Sequence, residues 1–177
     1  MGQSWSGVRK LLEEDLLCEA LRGRVQYFIT KYNNAHDESG RVAVRVDGFE
    51  VLKGNEFIYY RDYLPMENAL KKELGVPRRT WNGRGFLNEE ENEKVEELIK
   101  QQMLEQGEFS VWQFTDALQE YKNNPIKDSL SSLNPIVRMF AILDRRVGKR
   151  TLQRLEHEME KQPEWLRFFY HLRKSAE

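Results

Sequence analysis

Val42-Ala43-Val44-Arg45-Val46-Asp47-Gly48-Phe49-Glu50-Val51-Leu52 is the stretch whose reading decides the fold. Asp-Gly between runs that alternate apolar and polar is the signature of a two-residue hairpin, because both central positions of a type I′ turn need positive φ. A turn at Asp47-Gly48 sets Val46 opposite Phe49, Arg45 opposite Glu50 and Val44 opposite Val51. One face is then apolar and the other carries an opposite-charge pair, so the register is specified twice.

Working outward, Arg24 to Tyr32 also alternates, with Val25, Tyr27 and Ile29 on one side and Gln26, Phe28, Thr30 and Tyr32 on the other. A polar loop, Asn33 to Gly40, joins this strand to the hairpin. Phe57-Ile58-Tyr59-Tyr60 reads as a further strand, giving a three- or four-stranded antiparallel sheet. Before the sheet, residues 6–22 predict one helix, with Ser6 as N-cap, Val8, Leu11, Leu12 and Leu16 at helical spacing, and Gly23 as the left-handed stop.

After Pro65 the strand pattern gives way to helices. Met66 to Leu74, closed by Gly75, predicts a short one, and Val76 to Leu87, rich in Gly and Arg, a loop. Asn88 is the expected cap of a helix to residue 106 whose first turn, Glu89-Glu90-Glu91, complements the helix dipole, with Val95, Leu98, Ile99 and Met103 inward. Ser110 with Gln113 forms a capping box, and Phe109 with Phe114 occupies the staple positions. Asn134-Pro135 opens the next helix, through Ile136, Phe140 and Leu143 to Gly148; Thr151 to Gln162 and a segment from Pro163 supply two more. The fold class is α+β: an N-terminal helix and antiparallel sheet, then an all-helical C-terminal half. Residues 1–87 and 88–177 form two lobes expected to pack as one unit.

A chain of 177 residues is about one domain at roughly 150 residues each. Charged residues make up 32%, yet 28 basic and 29 acidic side chains leave a net charge of −1, which excludes a uniformly basic nucleic-acid coat. The single Cys18 has no internal disulfide partner and sits among Leu16, Leu17 and Leu21, so a buried thiol in a reducing cytoplasm is expected. No apolar run reaches the 18 or so residues of a membrane span, and no signal-peptide core is present. No membrane partner is therefore expected. Met1-Gly2-Gln3-Ser4-Trp5-Ser6 fits the N-myristoylation pattern and is read as a chance match.

The sharpest polar cluster is Arg145-Arg146-Val147-Gly148-Lys149-Arg150. Four cations at a turn between helices, with the N–H groups of the next helix beside them, suit a phosphate. The bland alternative is that Arg145 and Arg146 complement the end of the preceding helix while Lys149 and Arg150 are solvated or paired with acids such as Asp144 and Glu156. A P-loop is excluded, because that motif needs glycine at 143 and Ser or Thr at 150. A second candidate is Arg78-Arg79-Thr80-Trp81-Asn82-Gly83-Arg84, where Arg78, Arg79 and Arg84 flank an aromatic ring in the composition that tracks a single strand and stacks a base. Arg22, Arg24 and Arg41 would extend it into a basic face. The bland alternative packs Trp81 onto the core. His36-Asp37 has the composition of a metal-phosphohydrolase dyad but lacks the companion ligands; it is read as a polar loop site, with Glu50 or Asp62 as acids that an enzyme would recruit. No metal ligand set, catalytic set or cofactor motif is found.

Gly23 to Leu52, Val111-Trp112-Gln113-Phe114-Thr115-Asp116-Ala117-Leu118 and Ala141 to Arg150 resemble a small, uncharacterised bacterial family known by a locus-type name. The resemblance spans nearly the whole chain. It implies a bacterial cytoplasmic protein and brings no activity, cofactor or catalytic residue. The expected function is that of a non-enzymatic interaction or regulatory protein with a protein partner; nucleic-acid or phosphate binding is the alternative.

Overall fold

A computed structural model describes residues 4–31 and 40–176 of the chain. Gly2, Tyr32, His36 and Asp37 lie outside them. The hairpin forms as its turn chemistry dictates. Strands β1 (Val25–Lys31), β2 (Gly40–Val46) and β3 (Phe49–Asn55) make an antiparallel sheet in the order β1-β2-β3. Asp47 and Gly48 both have positive φ, at 51° and 86°. Asp47 is further held by Arg24, whose Nε and Nη2 donate to its two carboxylate oxygens at 2.9 and 2.8 Å.

Val46 faces Phe49 and Arg45 faces Glu50, but Val44 faces Leu52 instead of Val51. A bulge absorbs Val51, which lets the adjacent Leu52 reach the core while the Arg45–Glu50 pair is kept. Arg45 also lies over the Phe28 ring, 4.2 Å from its centroid, on the outer face.

The run Phe57-Ile58-Tyr59-Tyr60 is helical, not a strand. Helix α2 spans Glu56–Leu74, started by Asn55, whose Oδ1 accepts from the Phe57 and Ile58 N–H groups at 2.9 and 3.2 Å. Four consecutive apolar residues satisfy either period, and the Asn55 cap settles the choice. Pro65 lies within α2 on its exposed side, so the residue expected to end the strand region sits inside a continuous helix.

The N-terminal helix is also shorter than its apolar spacing suggests. Helix α1 (Trp5–Lys10) is capped by Ser4 rather than Ser6 and relaxes into a π-helical stretch, Leu11–Leu16. Leu17 then turns extended and forms a β-bridge with Asp144: the Cys18 N–H donates to the Leu143 carbonyl at 2.9 Å and the Arg145 N–H to the Leu16 carbonyl at 2.7 Å. Cys18 is buried, as expected.

Residues 80–87 form a small ribbon, β4 (Thr80–Trp81) with β5 (Phe86–Leu87), in place of an unstructured loop. Helices α3 (Glu89–Glu105), α4 (Val111–Asn123), α5 (Ile126–Leu130), α6 (Pro135–Leu143), α7 (Lys149–Met159) and α8 (Glu164–Ser175) follow. Asn88 starts α3 in the left-handed conformation with no side-chain cap, and Leu98 faces solvent while Asn92 takes the buried position. The capping box of α4 and the Phe109–Phe114 staple both form, the rings stacked with centroids 6.1 Å apart. Short α5 carries no local signature that the spacing exposed, and α7 begins two residues before its expected start.

Every residue of α6 is buried, including Arg138, whose Nη2 donates to Glu158 of α7 at 2.7 Å; the other eight residues are apolar. Its Phe140 ring meets Tyr27 of β1 and Phe114 and Tyr121 of α4, so one side chain joins sheet to helices. This main core includes α8 through Leu166, Phe169 and Tyr170. A second cluster, Tyr59, Val95, Ile99 and Met103, packs α2 against α3.

Gly54 is where the sheet meets the segment before α4 most closely. A Cβ there would stand 2.6 Å from both the ring and the carbonyl oxygen of Phe109. Gly54→Ala is expected to lower unfolding free energy by about 1–3 kcal/mol, the usual cost of overpacking. Urea denaturation followed by circular dichroism measures it, and an unchanged midpoint contradicts this packing.

Candidate functional site

The basic turn is built around a buried acid. Asp144 ends α6 and its side chain is shut off from solvent; the Tyr121 hydroxyl donates to Oδ2. The Arg146 guanidinium closes on both carboxylate oxygens, with Nη2 at 2.6 Å and Nε at 3.0 Å, and the Arg146 N–H donates to Oδ1 at 2.7 Å. Burial and then the bond to Asp144 hold the Tyr121 phenol well above its usual pKa; the same carboxylate raises that of Arg146. From α8, Arg173 Nη2 donates to the Val147 carbonyl at 2.7 Å.

One of the four cations of the turn is thus consumed by its own fold. Arg145, Lys149 and Arg150 are exposed, the last two in the first turn of α7. Glu156, the other acid expected to neutralise the cluster, pairs with Lys174 instead.

The second basic segment is the β4–β5 ribbon. Asn82 Oδ1 accepts from the Arg84 and Gly85 N–H groups at 2.9 and 3.0 Å and sets the turn. Arg79 pairs with Glu96 of α3 at 3.0 Å, whereas Arg78 and Arg84 face solvent. Trp81 does not pack onto the core: it is 59% exposed and meets Phe86 edge to face across the ribbon, centroids 5.1 Å apart. The two basic segments attach to different hydrophobic clusters, Val76 to the α2–α3 cluster and Val147 to the main core.

Of the arginines expected to extend a basic face, Arg24 is engaged with Asp47 and Arg41 with Glu50, while Arg22 is exposed. Of the acids considered beside His36 and Asp37, Glu50 is held by Arg45 and Arg41, and Asp62 pairs with Arg61 at 2.6 Å. Among the described residues no group of three or more His, Cys, Asp or Glu side chains converges to hold a metal ion, and no helix is long and apolar enough to cross a membrane.

Two features that the residue patterns did not single out stand on α2 and beside it. The side of α2 away from α3 carries Phe57, Tyr60 and Leu64, exposed by 75%, 56% and 54%, at i, i+3 and i+7. Its inner side carries Tyr59, Tyr63, Met66 and Leu70. The start of α2 is fixed to the start of α4, where Glu56 Oε1 accepts from the Val111 N–H at 2.7 Å and, more weakly, from Trp112 at 3.4 Å. Between β3, this first turn of α2, the α3–α4 connection and Trp165 of α8 lies an open groove of about 410 Å³. The only sequence signal for it is Gly54 inside a strand pattern, which marks a close approach of another element.

Residues 4–174 match the SF0329 protein family. The chain belongs to that family. No curated protein and no solved structure matches the chain.

In this SF0329 family chain the Asp144 cluster has the features of a structural tie, each partner coming from a different element. Tyr121→Phe removes a donor to a buried carboxylate and is expected to cost about 1.5–3 kcal/mol. Asp144→Ala leaves the Tyr121 hydroxyl and the Arg146 N–H without their acceptor, while the half-exposed Arg146 guanidinium turns to solvent, and should cost about 2–3 kcal/mol. Chemical denaturation of the two variants measures both; losses under about 0.5 kcal/mol contradict the tie.

Proposed function

We propose that the chain is a non-enzymatic interaction protein whose docking surface is the outer side of α2. The observation that carries this reading is the apolar stripe of Phe57, Tyr60 and Leu64 on a helix whose inner side is already packed. A surface helix normally confines apolar residues to one side, and contiguous exposed apolar area on a monomer is the mark of a partner site. Aromatic residues supply the largest share of energy at such surfaces. The buried, reduced Cys18 supports a reducing compartment, and the reading places the protein in the bacterial cytoplasm.

A photo-cross-linking residue at Phe57 or Tyr60, expressed in the native host, is expected to yield a discrete protein adduct. The same probe at Leu133, a solitary exposed leucine, should yield none. With the adduct partner purified, Tyr60→Ser should weaken its binding at least tenfold, about 1.4 kcal/mol. Equal adducts at all three positions contradict the docking role.

A second reading is favoured by Trp81, exposed beside Arg78 and Arg84: single-stranded nucleic acid stacked on the ribbon, with Arg145, Lys149 and Arg150 as further phosphate contacts. Base–aromatic stacking contributes about 1–3 kcal/mol. On this reading a labelled single-stranded 12-mer binds with an affinity that falls as salt rises, and Trp81→Ala weakens it roughly 5- to 150-fold. Binding that ignores both salt and Trp81 removes it.

A further inference from the structure

The groove beside β3 is bounded by an unpaired strand edge. β3 is terminal in the sheet, and alternate main-chain groups of an antiparallel strand point away from its partner. Among the described residues, no main-chain group of Glu50–Gly54 has a hydrogen-bond partner outside the sheet. Leu52 and Gly54, on the inner face, and Lys53, on the outer, all line the same groove. The groove therefore runs along the edge itself. At the opposite edge, Glu13 from the π-helical stretch accepts the Tyr27 N–H at 2.7 Å, so a side chain already serves β1.

The charges select among occupants. Lys53 is exposed and has no ion pair among the described residues, while Arg41, also in the groove wall, is held by Glu50. A lysine and a bulge on an edge strand are the usual guards against pairing with a second copy, since two such edges would bring like charges together. The same lysine attracts an extended chain that carries an acid. Val51, Ile58 and the half-buried Trp165 offer apolar surface within the groove.

We propose that β3 is a receptor edge: an extended segment of a partner protein adds as a fourth strand, with an acidic side chain beside Lys53 and apolar neighbours turned toward Val51, Ile58 and Trp165. The proposal rests on the reading of the chain as an interaction protein and names the chemistry of the partner. Main-chain bonds supply affinity in this mode, and alternate side chains supply specificity.

The test is selection of a displayed random octapeptide library on the full chain, followed by fluorescence anisotropy with the synthetic winners. Winners are expected to carry Asp or Glu flanked by apolar residues, and Lys53→Glu should weaken them at least tenfold with the fold intact by circular dichroism. N-methylation of successive peptide amides should weaken binding at least tenfold at one parity and less than twofold at the other, which only strand addition produces. The double variant Phe57→Ser/Tyr60→Ser should bind the winners unchanged. No enrichment, a methylation pattern without period two, dimerisation of the chain through β3, or indifference to Lys53→Glu overturns the proposal. Winners lost only in the Phe57/Tyr60 variant overturn it while leaving the interaction reading in place, and cross-linking adducts absent from α2 overturn docking on α2 alone.

Discussion

The carboxylate of Asp144 is the constraint on which the rest of the arrangement depends. It is removed from solvent at the end of the fully buried α6, and a buried charge is tolerable only when paired and hydrogen-bonded. Tyr121 from α4 and the guanidinium and N–H of Arg146 meet that demand, while the main chain on either side of Asp144 bonds the extended backbone beside Leu17. The N-terminal segment leaves its helix at Leu17, just after the π-helical winding, and pairs main chain to main chain with the end of α6. The aromatic contacts of Phe140 lie one turn earlier on α6 and carry the same junction into the sheet.

This constraint changes what the basic turn can offer. Four cations in six residues suggest a phosphate site by composition, but Arg146 is spent on Asp144 and the Val147 carbonyl on Arg173. The hairpin shows the same economy, with Arg24, Arg41 and Arg45 all matched to acids of the sheet. In a chain of net charge −1, the charges serve the fold locally. Besides exposed cations such as Lys53, Arg145 and Lys149, what is left unmatched is apolar or main chain: the outer side of α2, the Trp81–Phe86 pair and the edge of β3. Those are surfaces suited to partners, and the proposed interaction role draws on them rather than on chemistry at the turn.

The parts of the fold legible in the residues were those whose causes are local. Asp47-Gly48, the Ser110–Gln113 capping box and Asn134-Pro135 act within four residues and appear where expected. The misreadings have distant or ambiguous causes. Phe57 to Tyr60 fits strand and helix alike, and the break at Leu17 answers to Leu143 and Asp144, well over a hundred residues away. Trp81 finds Phe86 only because the loop closes into a ribbon. The composition of both basic clusters was visible, but not which cation each acid would take. The groove is assembled from four separate segments and announces itself only through Gly54.

Residue-resolved amide hydrogen exchange tests most directly the claim that Asp144 anchors the fold while the β3 edge stands open. The account predicts that the Cys18 and Arg145 amides exchange only on global unfolding, and that alternate amides between Glu50 and Gly54 exchange orders of magnitude faster than their neighbours. Fast exchange at Cys18 and Arg145, together with uniform protection along β3, would contradict it.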